Sequence, residues 1–368
     1  MIAGPDRWSF VGSYGHSDHA TVHICSMDET SGDLRVVGTA SGISNPSFLA
    51  VSPGGGHLYA VGETGLAGDG TPGSVHAFRI VTRPDALELV AMNHQPSGGD
   101  HPCHLCIDAD GRWVVVSNYG TGTVAVLPIK PDGGLGEIAS IVQHTGSGPN
   151  PDRQGGPHAH AAIFTPGGRF LIAADLGADR LFISAFDPYT GSLRPHGEVE
   201  TNVGAGPRHL AFHPDGAHLF VVNELENSLT LYRWDADAGM LRERSTLPTL
   251  PPDAPESIAA DIRIAADGRH IYVSNRGHDS VAVFVFDQHR LVRVAVRPCA
   301  GAWPRGLGLG PGGNHLVVAN QHSDEVVVLP VSADGSDIGA PVARVRIPRP
   351  TCVAFVGAPE PDSCDRKE

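Results

Sequence analysis

The sequence predicts an all-β fold, a single seven-bladed β-propeller, and three observations carry that prediction. One unit recurs along the chain: a short apolar strand, a glycine turn, a second apolar strand ending in a short polar residue, and a third strand. The spacing of the unit is that of a propeller blade. The two ends of the chain hold complementary fragments of one further copy.

The clearest copies are PSFLAVSPGGGHLYAVGE (46–63), PCHLCIDADGRWVVVSNYG (102–120), HAAIFTPGGRFLIAADLG (160–177), PRHLAFHPDGAHLFVVNE (207–224), IRIAADGRHIYVSNRG (262–277) and PRGLGLGPGGNHLVVANQ (304–321). Aligned on the turn glycines Gly55, Gly111, Gly168, Gly216, Gly268 and Gly313, they step by 56, 57, 48, 52 and 45 residues. Four strands and their turns fill about 40–50 residues. No stretch shows a helical period, and the apolar runs are rich in β-branched residues.

A seventh unit starts at PTCVAFVG (350–357) and stops after one strand. FVGSYG (10–15) reads as its second strand and ATVHICSMD (20–28) as its third, so the N-terminal strands are expected to complete the last blade. Such closure removes exposed sheet edges. The propeller is expected to span 8–357, with 358–368 as an unstructured tail.

Composition narrows the partners. The 46 Gly and 30 Pro are spread along the chain as turn punctuation rather than gathered in one tract. A net charge of −14 with no run of Lys or Arg argues against nucleic acid and anionic membrane as partners. No apolar stretch has the length of a leader or a membrane span, which reads as a cytoplasmic protein. The six cysteines suit reduced, buried thiols. A monomer or a small homo-oligomer is expected.

Blade geometry turns the repeat into a site. Strand one leaves, and strand two returns to, one face of the disc near the central channel. Strand one opens on Ser47, Cys103, His160, Arg208, Ala260, Arg305 and Thr351. Strand two closes on Gly62, Asn118, Asp175, Asn223, Asn275, Asn320 and Ser13, short side chains suited to capping the strand end. The next position holds Glu63, Tyr119, Leu176, Glu224, Arg276, Gln321 and Tyr14. A repeated structural role favours one residue type, whereas these vary in charge and shape, as a ligand pocket requires. His160, Arg208, Glu224 and Arg276 form the expected centre. Tyr14, Glu63, His104, Tyr119, His158, Asp175 and Arg305 are the expected substrate contacts.

The motifs GPHAHAAIF (156–164), DLGAD (175–179), GPRHLAFHPDG (206–216), VVNELENSL (221–229) and VSNRGHDSVAVF (273–284) resemble the cycloisomerase-type 6-phosphogluconolactonases, a lactonase family of seven-bladed propellers that includes a fungal carboxymuconate lactonising enzyme. The resemblance runs from about Phe10 to Phe355 and implies catalytic roles for His160, Arg208, Glu224 and Arg276. Two departures fall on the pocket rim: a proline-rich loop in the roughly 20 residues after Asp235, and a glycine-rich stretch from Thr64 to Gly73.

The implied reaction is hydrolysis of a small anionic sugar lactone, most simply 6-phosphogluconolactone, without a cofactor. Arg208 and Arg276 suit the anion and the developing oxyanion. Either His160 or Glu224 would activate water, and Glu224 alternatively orients its neighbours. A lactonising cycloisomerase and a non-catalytic binding propeller are the competing readings, the latter short of aromatic anchors beyond Trp303, Tyr14 and Tyr119.

Gly308, Gly310 and Gly313 spell GxGxxG without a following helix, and the Cys103/Cys106 pair points to opposite faces of a strand. His158, His160 and Asp175 could share a metal, though a metal-free site is expected. His57, His218, His270 and His315 read as solvated.

Overall fold

Residues 6–66, 70–83 and 86–357 are described by the computed structural model, and the expected tail at 358–368 lies outside them. All the regular elements are strands, gathered into seven four-stranded sheets. Six sheets are sequential. In the seventh, Pro350–Phe355 is innermost and pairs antiparallel with Asp6–Ser13, followed by Val22–Asp28 and Leu34–Ala40. The N-terminal strands therefore complete the last blade.

The blades are buried from the axis outward. Second strands such as Trp113–Asn118 and His218–Asn223 are buried at every residue because a neighbouring blade covers each of their faces. Fourth strands such as Leu193–Glu200 are largely exposed. Each apolar cluster bridges two adjacent blades; one joins Ile163 and Ile172 to Leu219 and Trp234, and another joins Phe10 and Ile24 to Leu58 and Phe78 across the split blade. Closure of the ring is thus a packed contact as well as a hydrogen-bonded one.

The glycines that anchor the repeat share one conformation, with φ between 67° and 74° at Gly55, Gly111, Gly168, Gly216, Gly268 and Gly313. The amide of Gly111 donates to Asp108 O at 2.9 Å, closing a turn whose last residue is left-handed, a position that favours glycine.

The register slips where the first strand opens: between Pro102 and His104, Ala159 and Ala161, Pro207 and His209, Ala259 and Ile262, and Pro304 and Gly306. Each slip is a β-bulge at Cys103, His160, Arg208, Ala260–Asp261 or Arg305. A bulge re-aims the side chain it carries, and these residues are the ones that meet near the axis.

Two expectations are corrected. The prolines do not form one loop after Asp235. Residues 236–239 turn a hairpin between Ser228–Asp235 and Met240–Pro248, held by buried Trp234 and Leu241, and Pro251, Pro252 and Pro255 lie in the connection to the next blade. His218, His270 and His315 are buried rather than solvated. The first two donate through Nδ1 to Asp215 and Asp267 of their own turns, at 2.7 and 2.8 Å.

Candidate active site

Glu224 is the hub. It follows the second strand of blade four, buried at 2% exposure. Oε2 accepts Arg208 Nε at 2.9 Å and Arg276 Nη2 at 2.7 Å, while Oε1 accepts Arg153 Nη2 at 2.5 Å. Burial alone would raise its pKa, but Arg276, Arg208 and Arg153 outweigh that and hold the carboxyl well below the usual range. Glu224 is a fixed anion and a poor proton acceptor.

The two inner guanidiniums are locked. Arg208 Nη1 donates to Ala260 O and Arg276 Nη2 to Ala259 O, both backbone groups of blade five. Arg276 also lies over the Trp303 ring at 5.7 Å.

His160 sits on its bulge beside this cluster, 5% exposed, its ring 5.7 Å from Tyr119 and 5.3 Å from His209. Burial, then the charge of Arg208, push its pKa well below the ordinary histidine value. The imidazole is therefore neutral at physiological pH, with a ring nitrogen able to accept a proton, and is a weaker base than an ordinary histidine.

A second group completes the mouth. Tyr14 donates to Glu63 Oε2 at 2.9 Å, and Arg305 lies over the Tyr14 ring at 5.2 Å with its Nη2 4.0 Å from Glu63. Between the groups a narrow polar cavity is walled by Ser47, Cys103, Arg208, His209, Asp261 and Arg305. A larger recess of about 660 Å³ lies further out, between Leu225 and Pro255, but its one guanidinium, Arg293, is tied to Pro248 O and Leu250 O.

The structure brings together His160, Arg208, Glu224, Arg276, Tyr14, Glu63, Tyr119 and Arg305. Three expected contacts are placed differently. Asp175 is fully buried: Oδ1 accepts the amides of His158 and Ala178, and Oδ2 accepts His144 Nδ1 at 2.8 Å. The slot that closes strand two faces strand three, as with Asn118 and Asn223, whose amides bind Thr123 and Ser228. His158 donates through Nδ1 to Tyr119 O and stacks on that ring at 4.4 Å, so it positions Tyr119. His104 lies in the channel against Phe48 and His209, and burial lowers its pKa to about 3.

With Asp175 and His158 so engaged, the trio they would form with His160 is not gathered for a metal. Among the described residues the set with metal-ligand proximity is instead His213, Asp215 and His218. Its Asp–His bond recurs in the next blade as Asp267–His270, which marks it as a turn cap.

Two participants were missed from sequence. Arg153 lies in the strap before the third blade, outside the repeat, so no blade alignment reaches it. His209 donates through Nδ1 to Asp261 Oδ1 at 2.8 Å, and its Nε2 is buried without a hydrogen-bond partner.

This fold and this site define a lactonase-type propeller: the profile of the family "Lactonase, 7-bladed beta-propeller" matches residues 9–355, and the chain belongs to that family. It is 33% identical over 350 residues to a 6-phosphogluconolactonase of Bacillus subtilis, covering 94% of this chain and 97% of the relative. A 6-phosphogluconolactonase of Formosa agariphila is 31% identical, covering 87% of this chain and 91% of the relative. Among solved structures, the periplasmic gluconolactonase of Pseudomonas aeruginosa superposes with a TM-score of 0.90 at 30% identity, covering 96% of this chain and all (100%) of that one. No helix among the described residues is long and apolar enough to cross a membrane.

Proposed function

We propose that this protein is a 6-phosphogluconolactonase, hydrolysing the lactone to 6-phosphogluconate. The observation that carries the reading is the neutral, buried His160 set beside guanidiniums that converge on Glu224. The relatives named above act, by name, on gluconolactones with and without phosphate.

In this reading His160 takes a proton from water as its oxygen attacks the lactone carbonyl. Arg208 and Arg276 face the developing oxyanion, where fixed, water-excluded charges act most strongly. The carbonyl–ring oxygen bond breaks, and the imidazolium returns its proton to the departing ring oxygen. Glu224 holds the two guanidiniums in place and takes no proton. The product acid then ionises, releasing one proton per turnover. Five described cysteines are buried thiols outside any disulfide, which suits a reducing cytoplasm.

The test is proton release with 6-phosphogluconolactone and glucono-δ-lactone, corrected for spontaneous opening. Turnover lost in both Arg208→Ala and His160→Ala, with the fold intact, supports the reading. Wild-type rates at background on both lactones refute it.

A further inference from the structure

The charges of the site do not balance. Four guanidiniums, Arg153, Arg208, Arg276 and Arg305, face two carboxylates, Glu224 and Glu63, while the third carboxylate of the cavity, Asp261, is matched by Arg263 at 3.1 Å. Two positive charges are left over, and exposed Arg349 adds another, over the Tyr14 ring at 5.2 Å. The reacting centre of a lactone is uncharged, so this fixed surplus matches an anionic substituent elsewhere on the substrate. A phosphate monoester, close to a dianion at neutral pH, has the complementary charge.

One of the guanidiniums differs from its neighbours. The side chain of Arg153 is 34% exposed, against 3% for Arg208, 5% for Arg276 and 17% for Arg305. Arg208 and Arg276 are each bound to a buried carbonyl as well as to Glu224, so each can meet a ligand only in place, and neither can swing outward without stranding a buried group. Among the described residues the Arg153 guanidinium bonds Glu224 Oε1 and, at 3.4 Å, the Tyr119 hydroxyl. Were it to leave, Glu224 Oε1 would lose this partner, but the carboxylate would keep both inner guanidiniums on Oε2.

The backbone beneath Arg153 is fastened even though its head is half-exposed. Gln154, wholly buried, donates through Nε2 to Leu176 O and to Asp179 Oδ1, and Asp179 accepts the amides of Gly204 and Gly206. The strap is thereby fastened to blades three and four, and presents a planar, bidentate donor at the mouth from a fixed base.

We propose that Arg153 is the specificity residue of this site, turning from Glu224 Oε1 to grip the phosphate ester of a phosphorylated lactone. The inference rests on the hydrolytic reading above and adds which residue selects the phosphorylated substrate.

The test compares wild type with Arg153→Gln and Arg153→Lys in two assays. In turnover, Arg153→Gln is expected to lower kcat/KM for 6-phosphogluconolactone by roughly tenfold to a hundredfold, mainly through KM, as losing a charge-assisted contact implies. Its loss on glucono-δ-lactone is at least about tenfold smaller, and Arg153→Lys recovers part of the difference. In calorimetry, wild type binds 6-phosphogluconate more tightly than gluconate, inorganic phosphate competes, and Arg153→Gln erases the preference. Equal losses on both lactones, or a preference that survives the substitution, overturn the proposal and leave Arg153 as a brace for Glu224. If neither lactone is opened by wild type, the hydrolytic reading fails on its own, while the calorimetric comparison still decides the role of Arg153.

Discussion

Arg208 donates through Nε to Glu224 Oε2 at 2.9 Å, tying the bulge that opens blade four to the residue that follows its second strand. Arg276 meets the same oxygen at 2.7 Å. One buried carboxylate is therefore the counter-charge for two buried guanidiniums. Glu224→Gln leaves them facing each other without it, and breaking a buried ion pair in this way costs about 3–5 kcal/mol. The expected result is a lower urea midpoint together with loss of lactone turnover. A Glu224→Gln protein as stable as wild type but inactive would point instead to Glu224 as the general base.

His160 sets the pH profile. Because burial and Arg208 hold it neutral well below the ordinary histidine range, kcat/KM is expected to stay flat from about pH 5.5 to 7.5, with no inflection near 6.5. His160→Gln is expected to cost about 10²–10⁴-fold in kcat. An inflection near 6.5 in wild type that vanishes in the variant would show an exposed, unshifted imidazole.

Stability should fall on acidification. His104, His160 and His209 all have pKa values lowered by burial, to about 3 for His104. The unfolded chain then binds protons more tightly than the folded one, so their contribution is complete above about pH 6.5 and is lost as pH falls below it. At pH 5 the difference for His104 is about 2 kcal/mol. Glu224, also lowered, adds a loss at more acid pH. Calorimetry should find the melting temperature falling from pH 7 to pH 5, with net proton uptake on unfolding; a melting temperature that does not change over this range would contradict the assignment.

The repeat made the fold legible, because six blades write the same left-handed glycine followed by a buried, mostly apolar second strand. The split blade was readable for the same reason. The centre of the site was readable because its residues sit at repeat positions, where departure from a shared residue type is itself a signal. Arg153 was not, since it belongs to an inserted strap whose placement depends on Gln154 reaching Asp179. The Asp261–His209 pair was hidden because both lie one residue past the openers, on bulges that pattern alone does not announce. Asp175 was misread because adjacent strand-end positions serve different ends: the last residue ties the surrounding backbone and turn, as Asp175 ties the amides of His158 and Ala178, and the next faces the axis.

That distinction gives the last prediction. Asp175 gathers the amides of His158 and Ala178 and the Nδ1 proton of His144, all away from the cavity. Asp175→Ala strands these donors, and each buried group left unsatisfied costs about 1–3 kcal/mol. A fall of about 3 kcal/mol or more in unfolding free energy is therefore expected. Four other blades fill the same slot with Asn118, Asn223, Asn275 and Asn320, so Asp175→Asn keeps an acceptor for the amides and should lose much less. At a temperature where both variants are folded, KM should stay within about threefold of wild type, since neither touches the mouth. A substrate contact would reverse that order, with KM rising in Asp175→Asn while stability held. Unfolding curves and steady-state kinetics on the two variants separate a strand cap from a ligand.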